Sequence, residues 1–131
     1  MNKLSKKELK NLESIFTRIQ RKVENGLNEL YELPPIRVAK VWKRDEGGGG
    51  KSISITGDTI EKAAVNYSSI SGKNLPDSSI ATKLKSASKK FHALGVSVIA
   101  HPMNPFCPTS HMNVRIFIEL GKNNFIENWW I

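Results

Sequence analysis

This sequence predicts an α+β fold with a mostly antiparallel sheet flanked by helices, and three observations carry the prediction. One long stretch near the start has apolar residues at helical spacing. Several segments follow in which apolar and polar residues alternate with period two. Few helical patterns separate those segments, so successive strands lack the crossovers that parallel pairing needs.

The organisation is a single domain over residues 1–131, with an N-terminal amphipathic helix in 5–33 and a sheet-rich part over 36–131. The helix reads from residue 5 to 32. Ser5-Lys6-Lys7-Glu8 has the capping-box form, in which the Ser5 and Glu8 side chains each satisfy an orphan backbone donor of the other residue. Leu9, Leu12, Phe16, Ile19, Val23, Leu27 and Leu30 make a buried stripe. Gly26 weakens the helix slightly, and Pro34-Pro35 ends it. Ile36 to Lys43 then reads as a strand with Ile36, Val38, Lys40 and Trp42 on one face. Lys51 to Thr56 alternates again, so a hairpin through the four glycines Gly47 to Gly50 is expected. Residues 58 to 72 are mixed, with a strand through Ala63 to Ser69. Asp77 and Ser78 cap a short helix running to about Lys90. Leu94 to Ala100 is a near-continuous apolar run suited to a buried strand, and Asn124 to Ile131 is the last strand.

The stretch His101 to Phe117, HPMNPFCPTSHMNVRIF, carries more than folding requires. Pro102, Pro105 and Pro108 fix φ at three points and hold the connection between its histidines stiff and non-helical. Beyond it, His111, Asn113 and Arg115 point to one face of a strand, and Met112, Val114, Ile116, Ile118 and Leu120 to the other. One face suits a core. The other sets an imidazole able to exchange a proton, an amide and a permanent cation in a row. Arg115 is the natural bidentate partner of a carboxylate. If Leu94 to His101 is one strand, Ser97 shares a face with His101 and is placed to hydrogen-bond a polar ligand. His101 and His111 are also metal-ligand candidates, but two histidines are too few for a closed zinc site. Each taken singly is more often a hydrogen-bonded structural residue.

Bulk composition narrows the classes. At 131 residues, with 39% hydrophobic and 24% charged, the protein is one ordinary globular domain. No apolar run approaches a membrane span, and the N-terminus lacks a signal-type apolar segment, so a cytoplasmic protein is expected. Cys107 is the only cysteine, which excludes an internal disulfide and a multi-cysteine zinc site; a packed thiol is expected. A net charge of +8 attracts polyanions. The lysines are dispersed, and no nucleic-acid-binding motif accompanies them, so nucleic acid is not the expected partner. A small basic nucleic-acid-binding protein remains a lesser alternative carried by charge alone. Gly50-Lys51-Ser52 resembles the end of a phosphate-binding loop, yet Glu46 stands where the first glycine belongs. Ser97 has no nucleophile-elbow context. Trp129 and Trp130 read as core or interface residues.

Several motifs together resemble the oxygen-dependent coproporphyrinogen III oxidases. They are Trp42-x-Arg44-x-Glu46 with Gly47 to Gly50, Glu61-Lys62-Ala63-Ala64-Val65-Asn66, Gly95-Val96-Ser97-Val98-Ile99-Ala100-His101-Pro102-x-Asn104-Pro105, Pro108-Thr109-x-His111-x-Asn113-x-Arg115, and Trp129-Trp130. The resemblance implies a partial version of that family's large antiparallel sheet flanked by helices, and a homodimer. It implies oxidative decarboxylation of two propionates of coproporphyrinogen III, an anionic tetrapyrrole, to vinyl groups, giving protoporphyrinogen IX in haem biosynthesis. Dioxygen is the co-substrate, and no organic cofactor is implied. His111 would be the acid/base residue, Ser97, Asn113 and Arg115 the substrate contacts, and His101 with His111 the ligands of a divalent metal. Ala64 stands where the family usually has glycine. The family pattern also continues past Trp-Trp into Phe-Gly-Gly-Gly and Asp-Leu-Thr-Pro, whereas here Ile131 follows. The expectation is therefore a truncated domain. The alternative is a non-catalytic remnant or half-enzyme that binds porphyrinogen or a partner polypeptide.

Overall fold

A computed structural model describes residues 3–73 and 90–131. Helix α1, Lys6–Asn28, begins at the capping box: Glu8 N donates to Ser5 Oγ at 3.1 Å, and Ser5 N donates to Glu8 Oε2 at 2.8 Å. That reciprocal bond holds the Glu8 carboxyl below its ordinary pKa, because both the backbone and the side chain of Ser5 favour the charged form. The helix stops before the expected residue 32, and Leu30 consequently lies past its end and is exposed. Six strands follow: β1 Ile36–Lys43, β2 Gly48–Thr56, β3 Ile60–Gly72, β4 Lys90–Pro102, β5 Ser110–Leu120 and β6 Ile126–Trp130. They form one antiparallel sheet in sequence order, β1-β2-β3-β4-β5-β6. The α+β expectation holds. Among the described residues no helix is long and apolar enough to cross a membrane.

Three local expectations change. The β1–β2 hairpin forms as expected, but of the four glycines only Gly47 lies in its turn. The turn is Arg44–Gly47, closed by Gly47 N on Arg44 O at 3.1 Å, and Gly48 to Gly50 belong to β2. Side chains are excluded there by contact: a Cβ on Gly50 would stand 2.6 Å from the Trp42 ring across the ladder, and one on Gly48 would run into the Ser69 carbonyl oxygen. The last strand begins at Ile126 rather than Asn124, because a 3-10 turn through Lys122–Asn124 puts Asn123 and Asn124 at positive φ. Cys107 is exposed instead of packed, since the β4–β5 connection projects beyond the sheet and leaves neighbouring Phe106 95% exposed. The helix expected after Asp77 and Ser78 falls outside the described residues; Lys90, where it was to end, starts β4.

The core lies between α1 and one face of the sheet. Ile53, Ile55, Ala63, Val65, Leu94, Val96, Val98 and Ala100 are buried under Phe16, with Leu9, Leu12, Ile19, Val23 and Leu27 packed around them. Each fully buried aliphatic side chain contributes about 1.5–3 kcal/mol. Two polar helix residues also face inward, in register with Phe16. Gln20 Nε2 donates to Lys51 O at 2.8 Å and to Val65 O at 3.0 Å, and Glu24 pairs with Arg37 of β1. A third polar contact closes the other end: Ser69 Oγ donates to Glu13 Oε1 at 2.7 Å and lies 3.0 Å from His92 Nε2. With the hydroxyl proton on Glu13, Nε2–H of a neutral His92 donates to Ser69.

Both clamps have measurable consequences. Gln20→Leu removes two hydrogen bonds to sheet carbonyls and should lower stability by about 1–3 kcal/mol, seen as a lower urea midpoint at unchanged m. Burial pushes His92 below its ordinary value of 6.5, the Glu13 carboxylate offsetting this only in part. The unfolded state therefore takes up the proton first. The stability gained from the neutral ring is complete above about pH 6.5 and is lost as pH falls from there towards the folded value. Urea midpoints should accordingly drop on acidification through that window, and His92→Gln should flatten the drop.

Candidate functional site

Alternation places the face opposite α1 on display. Val65, Val98 and Met112 are aligned across β3, β4 and β5 on the helix side, so the intervening residues of all three strands point the other way. On that open face Asn66 stands opposite Ser97, and Ser97 opposite Asn113. One rung along, Ser68 stands opposite Gly95, and Gly95 opposite Arg115. On the other side, His111 stands opposite Ile99, which makes His101 its diagonal neighbour. Ser97, Asn113, Arg115, His101 and His111, each singled out from sequence, thus share one face of two adjacent strands. His111, Asn113 and Arg115 are exposed, and Ser97 is half-buried.

The face is not flat. A recess of about 290 Å³ is lined by Asn66, Ser68, Ile70, Ala93, Gly95, Ser97, Asn113 and Arg115. Its floor is low because Ala93 and Gly95 offer little or no side chain in the middle strand. Towards Leu120 the face turns apolar: Phe91 stacks on Phe117 with ring centroids 5.3 Å apart. The recess therefore has one permanent cation, several neutral hydrogen-bonding groups and an aromatic flank. Among the described residues the ion pairs are Arg37–Glu24 and Arg44–Glu46, and the Arg115 guanidinium takes part in neither. An exposed cation without a protein carboxylate, above a floor of neutral donors, suits a carboxylate-bearing ligand.

A larger cavity of about 760 Å³ lies on the opposite side, between α1 and β1–β2. Five of its polar residues hold the helix on the sheet, through Gln20, the Glu24–Arg37 pair and the Glu13–Ser69 bond, and Thr17, Arg21, Lys43 and Lys51 line it as well. Among the described residues, the side chains lining the recess on the open face have no such commitments.

The histidines fit a metal poorly. His101 and His111 are diagonal neighbours about 7–8 Å apart at Cα, and the His101 Nδ1 is 3.3 Å from Thr109 Oγ1. Among the described residues no cluster of three or more His, Cys, Asp or Glu side chains is placed to hold an ion. The third histidine, His92, is on the helix side.

Sequence reasoning gave Asn66, Ser68 and Gly95 no site role, although Asn66 and Gly95 lie in motifs that carry the family resemblance. Asn66 and Ser68 sit in a segment whose alternation is blurred by Ala63-Ala64 and Ser68-Ser69, and a glycine inside an apolar run carries no chemical signal. Yet Gly95 has a definite role. A Cβ there would lie 3.2 Å from Arg115 Cβ and 3.3 Å from Val114 O, closer than the pair can accept without a shift. Gly95→Val should displace the guanidinium and fill the recess floor, weakening carboxylate binding at least about tenfold. Calorimetric titration would check this.

Trp129, opposite Ile118 in β6, is 62% exposed and so is not a core residue. The open face, with its polar row, its uncompensated arginine and its aromatic flank, belongs to a protein of which residues 11–131 match the family model described as coproporphyrinogen III oxidase. The match takes in α1 from Asn11 onward and every strand, and the chain belongs to the coproporphyrinogen III oxidase family.

Proposed function

We propose that the open face binds coproporphyrinogen III and supports its oxygen-dependent oxidative decarboxylation to protoporphyrinogen IX. The observation that carries this reading is the placement of Arg115, Asn113, Ser97 and His111 on one exposed face of β4 and β5, with Arg115 free of any carboxylate among the described residues. A substrate propionate is held by the Arg115 guanidinium through two parallel N–H···O bonds. Asn113 and Ser97, facing each other across the β4–β5 ladder, offer donors and acceptors to the same side of the macrocycle. His111 stands one rung further along β5 and takes the pyrrole N–H proton as electron density leaves the ring.

For each propionate the balance is R–CH2–CH2–COO⁻ + O2 + H⁺ → R–CH=CH2 + CO2 + H2O2. The carbon–carbon bond to the carboxylate breaks, its electron pair forms the vinyl double bond, and a β-hydrogen departs with two electrons passing to dioxygen. In this reading dioxygen is the oxidant and no organic cofactor takes part. His101 and His111 would supply two of the ligands that a divalent ion needs, and among the described residues no His, Cys, Asp or Glu side chain joins them as a third.

Aerobic incubation with coproporphyrinogen III, followed by oxidation and chromatography of the porphyrins, should yield vinyl product. Arg115→Ala should lower kcat/KM by about 10²-fold or more, mostly through KM. His111→Ala should lower kcat by about 10²–10⁴-fold with KM little changed. Turnover in both variants equal to that of the parent protein would remove these roles. Substrate binding with no vinyl product under any condition would reduce the function to porphyrinogen binding.

A further inference from the structure

Asn66 sits in the middle of β3, a strand with neighbours on both sides. Asparagine is a poor choice there, because its amide competes for backbone hydrogen bonds and it lacks the branched carbon that packs well on a pleated surface. Nothing in the packing calls for it: the side chain is exposed on the open face, away from α1. Ser68, next on that face, is half-buried. Neither side chain has a hydrogen-bond partner among the described residues.

Their position relative to Arg115 is specific. Ser68, Gly95 and Arg115 form one rung across β3, β4 and β5, and Asn66, Ser97 and Asn113 form the next. At a strand spacing of about 4.8 Å, the β3 residues stand roughly 10 Å from the β5 residues. Gly95 leaves the space between Ser68 and Arg115 unfilled, and both ends line the same recess. A ligand held at Arg115 by one acid group therefore lies across the floor with its far side over Asn66 and Ser68.

We propose that Asn66 and Ser68 form a second, neutral anchor that receives the acid group farthest from Arg115, and that this anchor selects tetrapyrroles with carboxylates on both sides of the ring. The inference rests on the reading of the recess as a porphyrinogen site. The Asn66 amide and the Ser68 hydroxyl each donate a hydrogen bond, so together they satisfy a carboxylate without a second cation. A macrocycle pinned at one corner can rotate about that corner. Pinned at two, it presents a single set of ring positions to His111.

The test is anaerobic titration of the whole protein with coproporphyrinogen III, which has four carboxylates, and protoporphyrinogen IX, which has two on one side, read by quenching of tryptophan fluorescence. Asn66→Val should weaken coproporphyrinogen binding about ten- to hundredfold and protoporphyrinogen binding less than about threefold. Valine suits a strand, so the urea midpoint should stay the same or rise while affinity falls. Asn66→Ser, which keeps a donor, should hold coproporphyrinogen affinity within about threefold of the parent, and adding Ser68→Ala to Asn66→Val should weaken it further. Equal losses for the two ligands, or no loss in Asn66→Val, would overturn the second anchor while leaving the Arg115 site standing. If the parent protein bound neither tetrapyrrole, the porphyrinogen reading would fall and this inference with it.

Discussion

The register of β3, β4 and β5 is the constraint on which the rest of the molecule depends. Val65 and Val98 line up beneath α1, with Met112 continuing the row on the same side of β5, and Tyr67, Val96 and Val114 form the next row. Because side chains alternate with period two, that one alignment also decides which residues meet on the opposite face. A slip of one residue in β5 would move His111, Asn113 and Arg115 to the helix side and turn Val114 and Ile116 outward. Burial of the apolar set under α1 therefore holds the polar set in place, although the two never touch.

Polar contacts on the helix side sharpen that alignment beyond what apolar packing supplies. Leucine and valine tolerate sliding, whereas Gln20 bonds two particular carbonyls, Lys51 O on β2 and Val65 O on β3. The Glu24–Arg37 pair and the Glu13–Ser69–His92 series extend the same device to β1 and β4. Such groups are costly to bury unless every bond is made, which makes them poor sources of net stability and good sources of register. The two faces thus differ: the helix face uses its polar groups for position, whereas the Asn66, Ser68, Ser97, Asn113 and Arg115 side chains of the open face make no such contact among the described residues.

Much of this was legible from local pattern. The capping box, the helix stripe from Leu9 to Leu27 and the two-sided order of β5 all follow from spacing within one element. Burial along β5 follows that order only in part: Met112, read as a core residue, is exposed, and Glu119 is buried. The misplacements share a cause, which is contact between elements. Gly48 to Gly50 read as loop because glycine favours turns, but Trp42 and the Ser69 carbonyl crowd the strand that holds them. Gln20 and Glu24 carry no apolar signal for burial, yet partners on β1, β2 and β3 draw them inward. Cys107 read as packed because it sits between Phe106 and Pro108, but all three ride on a connection that clears the sheet.

The sequence alone determined which residues of β5 share a face, that Ser97 and His101 share one on β4, and, through motif resemblance, which family to expect. Those facts depend only on positions along a single strand or on residue identity. Only the tertiary structure decided that the β4 and β5 faces are the same face, that Asn66 and Ser68 extend it across a third strand, and that Gly95 opens the space between them. Pairing partners distant in the sequence are set by which apolar residues find cover under α1, and no local period records that choice.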